Sequence, residues 1–326
     1  MNKGLIGLVE KFKEKRILVI GDIMLDKYIR GNVKRISPEA PVQVVSVEKE
    51  DYAPGGAANV ATNITGLGAG ALIIGFVGDD ETKDVLLSEL KKREIFTEGV
   101  VVDNKRPTIQ KVRVLGQNQQ LLRFDYEKNG GGDELVEEEL IKNIKELVKG
   151  VDAVIISDYN KGVITQKTID VLSKIVKEEG KIVVVDPKPK NLKFYNGFSL
   201  ITPNYNEAVM MANLTGEASE DIEKVGKGLL NELGSTLLVT QGEKGMSLFE
   251  SEGKITHIPT KAKEVYDVTG AGDTVVAVLT LALCSGASMK QAAIIANHAA
   301  GVVVGKVGTS TVTVEEIGQS LGTENE

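Results

Sequence analysis

The chain has 326 residues, 42% of them apolar, and a net charge of −7 from 39 basic and 46 acidic side chains. That length allows one large or two medium domains with a sizeable core, and the acidic balance argues against nucleic acid as the main partner, because phosphate backbones are bound by basic faces. One cysteine, Cys284, excludes an internal disulfide and fits a reducing cytosol, and one Cys with two His (His257, His298) argues against a thiolate–imidazole zinc site.

In chain order, the N-terminal stretch "MNKGLIGLVEKFKEKR" lacks a signal-peptide core. Its apolar residues Leu5, Leu8, Val9 and Phe12 recur at helical spacing among charges and predict a surface helix. "RILVIG" at 16–21 predicts a buried strand, as do "ALIIGFVG" at 71–78, "DAVIIS" at 152–157, "KIVVVD" at 181–186 and "STLLVT" at 235–240. Helical patterns fill 57–67, 81–93, 133–148, 165–178 and 219–233 between them. Apolar strands alternating with helices imply an α/β fold, a mostly parallel sheet covered on both faces. In such sheets ligands bind beyond the C-terminal ends of the strands. Those ends carry "GDIMLD", "SDYNKG", "DPKPK", "TPNYNE" and "TQGEKG", an accumulation of polar residues. Segments 27–52 and 107–126 instead show alternating patterns such as "VQVVSVEK" and "TIQKVRVL". They predict either a small separate sheet acting as a lid or two ordinary surface hairpins. The stretch "EKNGGGDE" at 127–134 predicts a flexible loop. The longest apolar run, 275–284, falls short of the ~20 residues a membrane span needs, so a cytoplasmic protein without a membrane partner is expected.

Familiar phosphate machinery is missing. No G-x-x-x-x-G-K-[ST] loop, protein-kinase motif or G-x-S-x-G elbow occurs. "GLGAGA" at 66–71 follows a helix and precedes a strand, the reverse of the order a dinucleotide site requires. What stands out is Gly270-Ala271-Gly272-Asp273 at the mouth of an apolar helix. A helix N-terminus offers unpaired N–H groups and partial positive charge, and small residues let an anion approach them. A carboxylate beside that anion hole can take a proton from an attacking hydroxyl, so the stretch holds both needs of phosphoryl transfer. The plainer alternative is Asp273 as a first-turn acid with glycines for packing.

"DVTGAGDT" at 267–274 resembles the C-terminal signature of the ribokinase-like (PfkB) sugar kinases, and "PGGAANVATNITGLGA" at 54–69 resembles their N-terminal signature. The likeness runs over nearly the whole chain and implies one ribokinase-like domain over 1–326 with lid segments 27–52 and 107–126. Within that family the motifs "GDIMLDKYIRGNVKRISPEAPVQVV", "NQQLLRFDYE", "SDYNKGV" and "TPNYNEA" are most similar to the heptose 7-phosphate kinases. The resemblance implies transfer of a phosphoryl group from ATP to the anomeric hydroxyl of a heptose 7-phosphate, giving a 1,7-bisphosphate. Another sugar kinase of the family, for ribose, fructose or a nucleoside, and a non-catalytic sugar-binding regulator are the alternatives. Neither histidine lies in an H-x-G-H signature and the chain ends soon after the kinase motif, so the nucleotidylyltransferase activity of the bifunctional relatives is expected to be absent.

The same resemblance implies roles. Asp273 is the base, and Gly270, Ala271 and Gly272 supply the anion hole. Asn204 and Glu207 serve Mg²⁺ and the nucleotide phosphates through water, although their spacing also suits a helix cap. Gly55, Gly56 and Asn59 lie against the sugar, with Asp26 ending the first strand and Asp22 and Asp158 nearby. Arg123, Lys161, Lys188 and Arg113 are candidates for the substrate's own phosphate, with solvated surface charge the alternative for Lys188 and Arg113. Thr240, Gly242, Gly245 and Asn297 resemble the adenine and ribose walls. Asp267 and Ser310, with the loop 304–310, resemble a monovalent-cation site suited to K⁺. A homodimer formed through the lid is expected.

Overall fold

The computed structural model describes residues 2–322 except 118, 129, 263, 307 and 309. The strands are β1 (Arg16–Gly21), β2 (Ile23–Ile36), β3 (Gln43–Gly56), β4 (Gly70–Val77), β5 (Phe96–Val102), β6 (Ile109–Gly116), β7 (Gln119–Tyr126), β8 (Ala153–Ser157), β9 (Ile182–Asp186), β10 (Leu200–Ile201), β11 (Thr236–Thr240), β12 (Met246–Phe249) and β13 (Ile255–Ile258). Among the described residues, nine of them form one sheet in the order β13-β12-β11-β10-β9-β8-β1-β4-β5. All neighbours run parallel except β11 with β12 and β12 with β13. Side chains alternate between the faces of a strand, and the core divides accordingly. Ile17 and Val19 of β1 join one apolar cluster, with the helices Ala57–Gly66, Ala271–Cys284 and Met289–Val303. Leu18 and Ile20 join the other, with the helices Glu134–Leu147, Gln166–Glu178 and Ile222–Leu233. The helix Ala271–Cys284 is buried almost end to end, which explains why it is apolar all round rather than striped.

The second sheet has the order β3-β2-β6-β7. It is larger than the segments 27–52 and 107–126 suggest, because β2 begins one residue after β1 and β3 runs on to Gly56. Asp26 therefore does not end the first strand of the main sheet. It sits inside β2, already in the second sheet, where the apolar Ile23, Met24 and Leu25 had disguised the crossing as a continuation of β1. The expected helix over 219–233 is broken: Asp221, in extended conformation, separates Glu217–Glu220 from Ile222–Leu233 and caps the latter. The N-terminal helix Asn2–Val9 is not merely on the surface, since Leu5, Val9 and Phe12 are buried. The glycine-rich stretch 127–134 is tethered by the Arg106 guanidinium, which donates to the carbonyls of Gly130 (2.8 Å), Gly131 (2.6 Å) and Lys161 (3.2 Å). Among the described residues no helix is long and apolar enough to cross a membrane.

Candidate active site

Asp273 lies in the first turn of the helix Ala271–Cys284 and is only 6% exposed. Gly270 caps that helix in the left-handed conformation (φ 80°), which a side chain would disfavour, and no side chain caps the end. The Ala271 N–H is used on the carbonyl of Val268 (3.2 Å). The next N–H groups of the first turn are those of Gly272 and Asp273, with open space at the Gly272 Cα.

Two donors from distant parts of the chain hold the Asp273 carboxylate. Asn59 Nδ2 donates to Oδ2 at 2.6 Å, and the Tyr159 hydroxyl donates to Oδ1 at 3.0 Å. One residue on, the Thr274 hydroxyl donates to Asn63 Oδ1 at 2.7 Å, so the helix Ala57–Gly66 grips the start of the other helix twice. Burial pushes the Asp273 pKa up to about 6, and the Asn59 and Tyr159 hydrogen bonds restrain the rise. A carboxylate with a pKa near the working pH is suited to general base chemistry.

Several residues expected to touch substrate also make contacts within the protein. Asn59 directs its amide nitrogen to Asp273. A side chain at Gly55 would collide with the Asp26 carboxylate of β2, and one at Gly56 with the Asp22 carbonyl, so these glycines let β3 approach β2 and the β1–β2 connection closely. Asp22 accepts N–H bonds from Tyr159 (2.9 Å), Lys161 (3.0 Å) and Val163 (3.2 Å) and so fixes the loop after β8. Its burial lifts its pKa to about 6 against those hydrogen bonds. Asp158 is fully buried and accepts from Asn160 N, Asn191 Nδ2 and the Tyr195 hydroxyl, each at 2.6 Å. Asp26 is paired with Arg113.

Tyr159, Asp186, Lys188, Asn204, Glu207 and Asp273 converge on a polar cleft of about 180 Å³. Asn204 and Glu207 form a reciprocal cap at the helix Tyr205–Met211, and the second oxygen of Glu207 pairs with Lys188. Lys188 thus stands among these carboxylates, with its ammonium 5.4 Å from the Tyr159 ring centre. Asp186 is driven well above the usual carboxylate range, first by burial and then by the charge of Asp273, with Lys188 opposing and Glu207 and Asp158 adding to the rise. Its neighbour is a deeper, mainly apolar cavity of about 520 Å³, which shares Thr240, Gly272 and Val275 with it. Gly242, Gly245, Met246, Val268 and Gly301 line its wall. Asn297 also lines it, with its amide donating to the Pro259 carbonyl (2.7 Å). Asp267 accepts N–H bonds from Thr269 (2.9 Å) and Gly308 (3.2 Å), and Ser310 N–H donates to the Gly308 carbonyl (2.8 Å). Positions 307 and 309 of that expected cation loop lie outside the described residues.

Three site residues escaped the sequence reading. Tyr159 and Asp186 lie in the noticed stretches "SDYNKG" and "DPKPK", but only the sheet order brings them to Asp273. Lys111 in β6 reads as the polar member of an alternating strand, yet its ammonium lies 5.4 Å from the Tyr159 ring centre.

A ligand-sized cavity adjoining a polar cleft with a buried carboxylate, at the C-terminal ends of a parallel sheet, marks a small-molecule site. Residues 14–316 match the pfkB family carbohydrate kinase model, and the chain belongs to that family. It is 44% identical over 317 residues to the bifunctional protein HldE of Psychromonas ingrahamii, covering 97% of this chain and 66% of that protein. It is 45% identical over 312 residues to the bifunctional protein HldE of Shewanella baltica, covering 95% and 64%. The chain thus spans about two thirds of the length of these curated relatives. The Escherichia coli phosphofructokinase-2 in complex with potassium shares the fold, with a TM-score of 0.77 at 19% identity over 96% of this chain and 99% of that one. So does the Arabidopsis thaliana ribokinase complexed with ribose and ATP, with a TM-score of 0.72 at 20% identity over 94% and 98%.

Proposed function

We propose that the protein transfers the γ-phosphoryl group of ATP to the anomeric hydroxyl of D-glycero-D-manno-heptose 7-phosphate, giving the 1,7-bisphosphate. The observation that carries the chemistry is the buried Asp273 carboxylate, with its pKa near 6, at an uncapped helix N-terminus where the two cavities meet. The stretches "SPEAPV" and "NQQLLRFD", with the HldE likeness along the chain, support the heptose substrate.

In this reading the apolar cavity takes the nucleotide base and ribose, and the polar cleft takes the phosphates. Asp273 accepts the proton of the attacking hydroxyl. The Gly272 and Asp273 N–H groups stabilise charge on the phosphoryl group in transfer. Lys188 neutralises phosphate charge from the side of Glu207. The polar donors of the cleft other than Lys188 are oxygens and an amide, a set suited to Mg²⁺. Asp186, Asn204 and Glu207 would hold that ion through water, and it would supply charge neutralisation on the phosphates. The loop around Asp267 and Ser310 is assigned a K⁺, bound mainly through backbone carbonyls.

Coupled ADP release over a panel of sugars and sugar phosphates tests the proposal. Heptose 7-phosphate should give the highest kcat/KM and a second phosphate on C1. Preferential turnover of ribose, fructose or a nucleoside would replace the substrate, and absence of ATP turnover with every sugar would favour a binding protein.

A further inference from the structure

Among the described residues, most basic groups around the second sheet are occupied; Lys34 and Arg35, exposed near the end of β2, are exceptions. Arg113 is paired with Asp26. Arg123 donates from Nε and Nη2 to the two oxygens of Asp125, each at 2.9 Å. Lys161 is paired with Glu127 at 2.7 Å, and Lys188 with Glu207. Lys111 differs. Among the described residues its ammonium has no hydrogen-bond acceptor and no carboxylate within ion-pair distance; its neighbour is the face of Tyr159. The strand register puts it beside Asp26 on β2 and Asp125 on β7, on the sheet face that also carries Tyr28, Arg113 and Arg123. Both acidic neighbours are turned to the two arginines.

We propose that Lys111 receives the phosphate that the acceptor sugar already carries, with the Arg113–Asp26 and Arg123–Asp125 pairs forming a rigid frame around it. The inference rests on the functional reading above and names the group that makes the site prefer a phosphorylated sugar. A partly buried ammonium without an acceptor is unfavourable, and an anion that completes its hydrogen bonds removes that cost. Burial already pulls the Lys111 pKa below the usual lysine value, and Asp26 only partly opposes this. The position fits as well, since the Tyr159 ring beneath the ammonium carries the hydroxyl that donates to Asp273. One aromatic side chain thus spans the space between the base and the proposed phosphate contact. Arg123, the more obvious choice from sequence, is about half exposed and has Nε and Nη2 engaged on Asp125.

The test is Lys111→Met, with Lys111→Gln as a second variant that keeps a polar head on the strand. KM is measured for heptose 7-phosphate, for the unphosphorylated heptose and for ATP. Binding of heptose 7-phosphate without nucleotide is followed by calorimetry. A charge-assisted contact corresponds to a loss of roughly 10- to 150-fold. KM and Kd for the sugar phosphate should rise by about that factor, with a far smaller change for the unphosphorylated sugar. Equal losses on both sugars would overturn the assignment. So would a loss confined to kcat with a displaced pH profile, which would make Lys111 a tuner of Asp273. A parent enzyme that turns over other sugars but neither binds nor phosphorylates heptose 7-phosphate would refute the functional reading itself.

Discussion

Tyr159→Phe isolates the hydrogen bond that restrains the Asp273 pKa. The hydroxyl donates to Oδ1 at 3.0 Å, and the second oxygen keeps its bond from Asn59. Hydrogen bonds to charged groups contribute about 1.5–3 kcal/mol, and 1.36 kcal/mol corresponds to about one pKa unit. The pKa of about 6 should therefore rise by roughly one to two units. The direction is fixed, because a donor that favours the ionised carboxylate is removed. In the parent enzyme, kcat/KM should fall as pH drops through about 6, where Asp273 becomes protonated. In the variant the same limb should lie at roughly pH 7–8. The variant should be several-fold slower at pH 7 and recover most of its rate by about pH 9. A pH–rate profile of both enzymes under saturating ATP measures this directly. An acid limb that stays in place, or moves downward, would refute both the restraint by Tyr159 and the base role of Asp273.

Asp273→Asn should keep the fold and nucleotide binding while lowering kcat by roughly 10²–10⁴-fold; a near-normal kcat would remove Asp273 from the base role. Glu207→Gln, which keeps the size of the capping side chain, should raise the Mg²⁺ concentration for half-maximal rate by roughly 10- to 100-fold. An unchanged Mg²⁺ titration would detach Glu207 from the metal. Ile36 and Val47 are exposed on the second sheet and Val42 in the connection between β2 and β3, so light scattering should show a homodimer that Ile36→Asp with Val42→Asp weakens. A parent protein that is wholly monomeric at micromolar concentration would contradict pairing through this sheet.

The parts of the fold legible from sequence are those with a long, uniform signal. Buried parallel strands such as β1, β4 and β8 are unbroken apolar runs, and the helices between them carry periodic faces and side-chain caps such as Asp80 and Thr165. β10 has two residues and β13 is mostly half-buried, so neither leaves a period to read. In the site, Asp273 and its glycines are local in sequence and could be found by motif. The donors that set its chemistry could not, since Tyr159 is 114 residues away and Asn59 is 214 away. Sequence spacing also assigns no direction to a side chain. Asn59, Asp22 and Asp158 have the composition of ligand contacts, and each also holds another part of the site, which spacing did not foretell.

The passage from β3 into the helix Ala57–Gly66 is immediate: Gly56 ends the strand and Ala57 begins the helix. Asn59 stands two residues beyond that junction, with its amide on the base. Gly56, at φ 57°, is thus the backbone joint between the second sheet and the donor to Asp273. A substitution that moves this joint should therefore be read in the acid limb of the pH–rate profile as well as in the affinity for the sugar.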